Sequence, residues 1–327
     1  MEKNMDVVAL GELLIDMTNN GKSENGNDLF EANPGGAPCN VLAMLKRFDH
    51  SVAFIGKVGD DIFGRKLEET LNEVGISTRN LKKDPEVRTT LAFVETFPDG
   101  DRDFSFYRNP GADMMLHKEE LDMDLIAHSR VFHFGTLSMT HEMPRQATIC
   151  AVEEAKKNGA LITFDPNLRE PLWNSLNEAK EQILCGMKYC DYLKISDNEI
   201  QWLTGEEDYD KGVEKIRESF DIPLITVSMG RDGSRAYYNY NGKTIITEAS
   251  PFLSNQTIET TGAGDTFCGC VIHYLLTFGL DGLDEEKLKE MLTFANAAAS
   301  LITRVKGALR VMPNINDIEK LVQTREQ

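Results

Sequence analysis

Short, largely apolar runs punctuate the chain at Val7–Leu10, Val52–Ile55, Val131–Phe134, Leu161–Phe164, Tyr192–Ile195 and Leu224–Val227. Runs this short are the pattern of strands buried on both faces. Between them lie longer segments, among them Ile62–Val74, Arg145–Lys157 and Asp210–Phe220, whose apolar residues recur at helical spacing. Strands alternating with helices predict an α/β fold, a mostly parallel sheet with helices on both faces. No break in composition marks a linker, so residues 1–327 read as one domain.

Two stretches break this rhythm. Residues 89–107 read as a strand pair around Pro98-Asp99-Gly100-Asp101, with Phe104 and Phe106 alternating onto one face. A second extended piece is expected between Asp16 and Asn33. Together they predict a small sheet inserted at about 17–33 and 89–111, serving as a lid, an edge hairpin or a dimer contact. In the dimer reading the strand edge around Thr89–Tyr107 pairs with its twin in a second copy, covering an edge that would otherwise invite aggregation.

Composition narrows the partners. A hydrophobic content of 41% in 327 residues supports a large core. A net charge of -18 and a pI near 4.8 argue against a nucleic-acid groove and against an anionic membrane surface. The six cysteines form no Cys-x-x-Cys pair and have no histidine at metal-ligand spacing, so they read as reduced thiols of a cytosolic protein. Met1–Asp6 runs straight into an apolar strand too short for a signal peptide or a membrane span.

Candidate chemistry gathers at Glu259-Thr-Thr-Gly262-Ala263-Gly264-Asp265-Thr-Phe267. Apolar residues at Phe267, Val271, Tyr274, Leu275 and Phe278 mark a helix, which puts Asp265 in its first turn. First-turn N–H groups lack partners inside the helix, and Gly262 and Gly264 let them crowd around an oxyanion such as phosphate. The helix dipole is expected to hold Asp265 ionised, a base with a pKa below neutrality suited to a proton released late by an alcohol attacking phosphorus. Alone, the segment reads equally as an acidic cap over a glycine turn. Upstream, Gly11-Glu12-Leu-Leu-Ile-Asp16 is a strand ending in a carboxylate that either accepts substrate hydroxyls or sits in an ordinary turn. Asn33-Pro34-Gly35-Gly36-Ala37-Pro38-Cys39-Asn40 opens a helix over Val41–Phe48, its glycines letting a ligand lie against backbone.

Four motifs follow one another: Gly35-Gly36-x-x-x-Asn40, Gly56-x-Val58-Gly59-x-Asp61-x-x-Gly64, Thr226-Val-Ser228-x-Gly230-x-x-Gly233 and Thr261-Gly262-Ala263-Gly264-Asp265. Over essentially the whole chain this set resembles the ribokinase-like, pfkB-type carbohydrate kinases. The segments Gly100–Met114, Asp165–Trp173 and Lys194–Gly205 are most similar to the fructokinase branch. The resemblance implies a ribokinase-like three-layer sandwich with a mostly parallel central sheet and a small β-sheet lid. It implies ATP-dependent phosphorylation of a sugar hydroxyl, fructose to fructose 6-phosphate, with 2-keto-3-deoxygluconate kinase or ribokinase as the alternative enzymes.

The same resemblance implies roles for residues. Asp265 is the base, and Gly262, Ala263 and Gly264 supply backbone donors to the transferring phosphoryl group. Asp16, Gly35, Gly36 and Asn40 hold the sugar, with Arg108 and Arg169 reaching substrate or phosphate. Lys194, Ser228, Gly230 and Gly233 line the nucleotide, Asn296 lies near adenine, and Glu199 holds Mg²⁺ through water. Glu259 stands where the family usually has Asp in a monovalent-cation site, which puts potassium activation in question. Ser196 replaces an Asn found in ribokinases, which weighs against ribose. The implied partners are a sugar, ATP and a second copy of the chain, with no nucleic acid and no membrane. Two other classes compete. A sugar- or nucleotide-binding regulator on the same scaffold has no use for an intact Asp265, and a nicotinamide dehydrogenase needs Gly-x-Gly-x-x-Gly where Val7–Asp16 contains only Gly11. His133, His141 and His273 read as core or surface histidines, Trp173 and Trp202 as packing residues, and Asp113 as a helix cap.

Overall fold

The computed structural model describes residues 3–96 and 102–325. In chain order the strands are β1 (Met5–Leu10), β2 (Leu14–Lys22), β3 (Asp28–Gly35), β4 (Val52–Gly59), β5 (Ser77–Asp84), β6 (Leu91–Thr96), β7 (Arg102–Tyr107), β8 (Ser129–Gly135), β9 (Leu161–Asp165), β10 (Tyr192–Ser196), β11 (Leu224–Ser228), β12 (Ser234–Tyr240) and β13 (Lys243–Ala249). The helices are α1 (Ala37–Arg47), α2 (Ile62–Val74), α3 (Met123–Ala127), α4 (Glu142–Lys157), α5 (Leu176–Met187), α6 (Asp197–Thr204), α7 (Tyr209–Arg217), α8 (Ala263–Phe278), α9 (Glu285–Ile302) and α10 (Ile315–Arg325).

Alternate residues of β1 enter opposite layers: Val7 and Ala9 join one apolar cluster, Val8 and Leu10 the other. A strand gripped from both sides cannot afford polar alternation, which is why it reads as a continuous apolar run. The first cluster takes in α1, α2, α8, α9 and α10 through residues such as Met44, Leu71, Val271, Leu292 and Ile318. The second takes in α3 to α7 through Ile126, Ala151, Ile183, Ile200 and Ile216. Each large apolar side chain so buried contributes roughly 1.5–3 kcal/mol before entropy is subtracted. The result is the three-layer sandwich.

The central sheet has nine strands in the order β13-β12-β11-β10-β9-β8-β1-β4-β5. Pairing is parallel from β11 to β5 and antiparallel at β12 and β13. The strands β5 and β13, at the two edges, are missing from the apolar runs of the sequence because edge strands carry polar residues against water.

The second sheet has the order β3-β2-β6-β7, and it is the expected lid. Its first strand begins at Leu14, earlier than the expected 17, so Asp16 lies on the sheet itself. The turn expected at Pro98–Asp101 and the side chain of Phe104 lie outside the described residues. The Gly56–Gly64 motif is a structural joint. Asp61 caps α2 by accepting from Phe63 and Gly64 N–H, and it also accepts from the N–H and hydroxyl of Thr89, at the root of β6. A Cβ on Gly64 would lie 1.9 Å from the Gly59 carbonyl oxygen, so glycine is required there. No helix among the described residues is long and apolar enough to cross a membrane.

Candidate active site

The strand order reverses at β1, and in such sheets ligands settle beyond the carboxyl ends of the strands at that point. A cleft of about 400 Å³ opens there, bounded by Glu12, Asp16, Gly36, Asn40, Phe106, Asn167, Arg169, Lys194 and the Thr260–Asp265 segment. A larger hollow of about 640 Å³ lies among α8, α9 and α10, but its charged groups, Glu286, Lys289, Glu290 and Glu319, are solvent-exposed surface side chains. Size does not pick the site; converging buried polar groups do.

Gly262 is the N-cap of α8 and sits at φ 76°, in the left-handed region that favours glycine. This turn puts Gly262 and Gly264 on the cleft wall with the helix dipole behind them, while the Ala263 N–H is donated to the Thr260 carbonyl at 3.3 Å. A Cβ on Gly264 would lie 3.1 Å from Lys194 Nζ, so glycine admits the ammonium against the turn. Asp265 is bonded through Oδ2 to Asn40 Nδ2 at 2.8 Å. Burial pushes its carboxyl above the usual carboxylate value, against the opposing pull of Asn40, Lys194 and Arg169. The expectation that the helix dipole sets this basicity is therefore revised: desolvation acts the other way and prevails. Asn40 Oδ1 is buried without a hydrogen-bond partner, an acceptor left open for a ligand hydroxyl.

Asp16 faces Asp265 across the cleft. Burial lifts its carboxyl to about 7, with Arg169 opposing and Glu259 and Asp265 adding to the rise. The paired glycines have a reason beyond the one expected. A Cβ on Gly35 would lie 2.3 Å from Asp16 Oδ2, and one on Gly36, at φ 138°, would lie 2.4 Å from the Glu12 carbonyl oxygen. The glycines thus let the protein's own carboxylate and backbone close in. Arg169 follows β9 and lines the cleft beside both aspartates.

Arg108 is placed elsewhere. Its guanidinium is buried and donates to Asp113 Oδ2, Thr140 Oγ1 and the Leu137 carbonyl, at 2.8, 2.8 and 2.9 Å. It does not line the cleft, so the expected reach to substrate or phosphate is corrected. Asp113, expected as a helix cap, is its buried partner.

On the phosphate side, Lys194 Nζ lies 3.0 Å from Asp165 Oδ2. Burial acts against the ammonium, but Asp165 and Glu199 outweigh it and hold it charged. Asp165 is pushed up to about 6 by burial, with Lys194 opposing, so the pair is ionic at neutral pH. Asp165 Oδ1 accepts the Asn167 N–H, fixing the turn that carries Asn167 and Arg169.

Glu199 is half-buried; Lys194 and the donors of Ser196 and Leu168 hold it below the usual carboxylate range despite desolvation. Its Oε2 accepts from the N–H and hydroxyl of Ser196, its Oε1 from the Leu168 N–H. Among the described residues no cluster of three or more His, Cys, Asp or Glu is arranged to hold a metal. A water-shelled Mg²⁺ carried on phosphates, touched by one carboxylate oxygen with a lone pair to spare, fits this donor set; a protein cage does not.

Ser228, Gly230 and Gly233 lie at the end of β11, where Ser228 is in register with Ser196. Asn296 donates to the Ala249 and Ser250 carbonyls, and a Cβ on Gly233 would lie 2.2 Å from that same Ala249 oxygen. These residues form a group beside Glu199, outside the cleft that holds Asp265. Glu259 Oε1 accepts the Gly307 N–H at 3.2 Å.

Sequence reasoning assigned no role to Glu12, Asp165 or Asn167. Glu12 was visible as a carboxylate inside an apolar run; it is buried, bonded to the Ala37 N–H at 2.7 Å, and lifted to about 7 by desolvation. Asp165 ends a strand in a carboxylate, the same signal that marked Asp16. His133 behaves as the expected core histidine, pulled down to about 3 by burial and then by Lys194.

A family model described as pfkB family carbohydrate kinase matches residues 4–315. The chain is 39% identical over 324 residues to a protein named probable fructokinase-4 from Arabidopsis thaliana, with 98% of each covered. It superposes on the crystal structure of a fructokinase with bound ATP from Xylella fastidiosa at a TM-score of 0.88 and 26% identity, covering 98% of this chain and 99% of that one. A double mutant of a fructokinase from Vibrio cholerae O395, in a form with fructose, ADP and potassium ion bound, superposes at a TM-score of 0.83 and 26% identity, covering 98% of this chain and 100% of the other.

Proposed function

We propose that this chain, which belongs to the pfkB family of carbohydrate kinases, transfers the γ-phosphoryl group of ATP to a primary hydroxyl of fructose, giving fructose 6-phosphate. One observation carries the reading: the first turn of α8, the Asp265 carboxylate and the ligand-facing groups of Asp16, Asn40 and Arg169 share a single cleft. The fructokinases it resembles, with ATP in one and fructose and ADP in another, support the choice of substrates.

Phosphoryl transfer asks the protein mainly for positioning and for charge stabilisation. Asp16 and the open Asn40 Oδ1 accept sugar hydroxyls. Asn40 Nδ2 fixes Asp265, which takes the proton of the attacking hydroxyl as its oxygen bonds to phosphorus and ADP departs. The first-turn N–H groups and Lys194 meet the charge that builds on the transferring oxygens. Mg²⁺, when bound on the phosphates, supplies further charge neutralisation, and Glu199 would hold its water shell. The nucleotide would extend over Ser228, Gly230 and Gly233 toward Asn296.

A coupled ADP-release assay on fructose, 2-keto-3-deoxygluconate, ribose and adenosine tests this directly. Fructose is expected to give the highest kcat/KM, with little response to added potassium because Glu259 is longer than the usual Asp and is engaged with Gly307. A preference for 2-keto-3-deoxygluconate would overturn the substrate assignment.

The setting is cytoplasmic on this reading, in keeping with six free thiols. The partner is a second copy docked through the lid. The lid surface opposite Asp16 carries exposed Phe30 and Tyr107, each packed against Phe93 at ring separations of 5.3 and 5.1 Å, and β7 is an outer strand. Small-angle scattering at micromolar concentration should show a dimer and Phe30→Glu a monomer; a strictly monomeric wild type would overturn the dimer.

A further inference from the structure

The lid must hold Asp16 over the cleft, yet a small sheet joined to the core by a few chain crossings has little to fix its angle. Both lid strands that flank the insertion are tied at their roots to one buried carboxylate. Thr90 immediately precedes β6 and donates its hydroxyl to Asp113 Oδ1. Arg108 immediately follows β7 and meets Asp113 Oδ2 through Nε at 2.8 Å and Nη2 at 2.7 Å. Leu91 and Tyr107 are partners in the β6–β7 ladder, so Thr90 and Arg108 occupy its next rung, and Asp113 bridges them where the ladder ends. The side chains of Arg108 and Asp113 are each only 2% exposed.

The bridge is anchored on both sides. Arg108 reaches on to Thr140 and the Leu137 carbonyl, at the end of the turn after β8, and Leu137 borders the cleft. On the lid side the Thr90 carbonyl accepts the Ile15 N–H, one residue from Asp16. A Cβ on Gly111 would lie 1.8 Å from Thr90 Oγ1 and 2.8 Å from Asp113 Oδ1, so the close approach depends on that glycine. A buried ion pair of this kind is weak evidence for net stability, but it fixes geometry strongly, because breaking one partner strands a charge.

We infer that Asp113 is a positioning residue for the sugar: with Arg108 and Thr90 it clamps the lid roots and sets where Asp16 stands relative to Asp265. The inference rests on the sugar-kinase reading for its kinetic arm only, since hydrogen exchange reports the anchoring of the lid whatever the substrate.

Asp113→Asn keeps shape and removes the charge; Thr90→Val removes a single bond and leaves the ion pair intact. Asp113→Asn should raise KM for fructose by about tenfold or more, and Thr90→Val by about threefold, with KM for ATP held within about twofold. Amide exchange should accelerate over residues 14–18 and 91–94 while β8, β9 and β10 stay protected. Unchanged fructose KM in folded Thr90→Val, or exchange accelerated equally in both sheets, would overturn the clamp and leave an ordinary core ion pair. Should Asp113→Asn fail to fold, Thr90→Val decides alone, because it keeps the Arg108–Asp113 ion pair and removes only the bond to the β6 root.

Discussion

Asp265→Asn should lower kcat by about 10²–10⁴-fold, the range that a positioned general base contributes, while KM for the sugar moves only a few-fold. The amide keeps the shape of the carboxyl and can still face Asn40, which now sits 2.8 Å from Oδ2, so the cleft keeps its form. What is lost is the proton acceptor. The first-turn donors of α8 and Lys194 are untouched and leave a residual rate. Burial raises the Asp265 carboxyl, so its basic form gains strength toward the hydroxyl proton, and activity that depends on it falls as pH drops through its pKa. In Asp265→Asn that acid limb should disappear from the residual rate. Steady-state kinetics between pH 5 and 9 read both effects, and near-normal turnover would sink the mechanism.

The two ends of this reaction were legible in the sequence for different reasons. Asp265 announces itself because a glycine pair, a carboxylate and the onset of helical periodicity coincide. Asp16 announces itself because an apolar run reads into a charge, although the run spans two strands: β1 ends at Leu10 and Asp16 lies in β2 of the small sheet. The central strands β1, β4, β8, β9, β10 and β11 were readable as apolar runs, whereas β5 and β13 were hidden by the polar residues of sheet edges. Arg108 shows what one dimension conceals. An arginine beside a glycine-rich turn reads as a ligand contact, but Asp113 lies only five residues on, and the fold buries the two against each other. At Gly35 and Gly36 spacing reveals that a Cβ is unwelcome, not what fills the room: Asp16 and the Glu12 carbonyl close in, and Gly36 also borders the cleft. Asp165 depends on Lys194 arriving from the neighbouring strand β10, and a pairing at that sequence distance leaves no local trace.

Asp16→Asn should weaken the sugar and strengthen the fold at once. Hydrogen bonds to a charged group contribute about 1.5–3 kcal/mol, so losing the carboxylate should raise KM for fructose roughly 10–100-fold, with a smaller effect on KM for ATP. Burial holds the wild-type carboxyl at about 7, above its ordinary value of 3.8. The folded protein therefore retains a proton that the unfolded chain releases, which favours folding at low pH. That advantage is lost as pH rises from about 4 to about 7 and is gone above it. An amide has no charge to desolvate, so the melting temperatures of the variant and the wild type should agree near pH 4 and separate as pH climbs, the variant higher, with the gap constant above about pH 7. Asp16 faces the open cleft and keeps part of its hydration, so the gap should be on the order of 1–3 kcal/mol. Glu12, at about 7, pushes in the same direction, so the unliganded enzyme carries this second carboxylate too at a cost to stability near neutral pH. A sugar hydroxyl arriving at Asp16 stabilises the ionised form, so fructose KM should fall as pH rises through about 7 in the wild type and not in the variant. Thermal melts and kinetics over the same pH series test both halves. An unaltered sugar KM would remove Asp16 from the binding site, and a variant less stable at pH 8 would show that the carboxylate is compensated in the folded state.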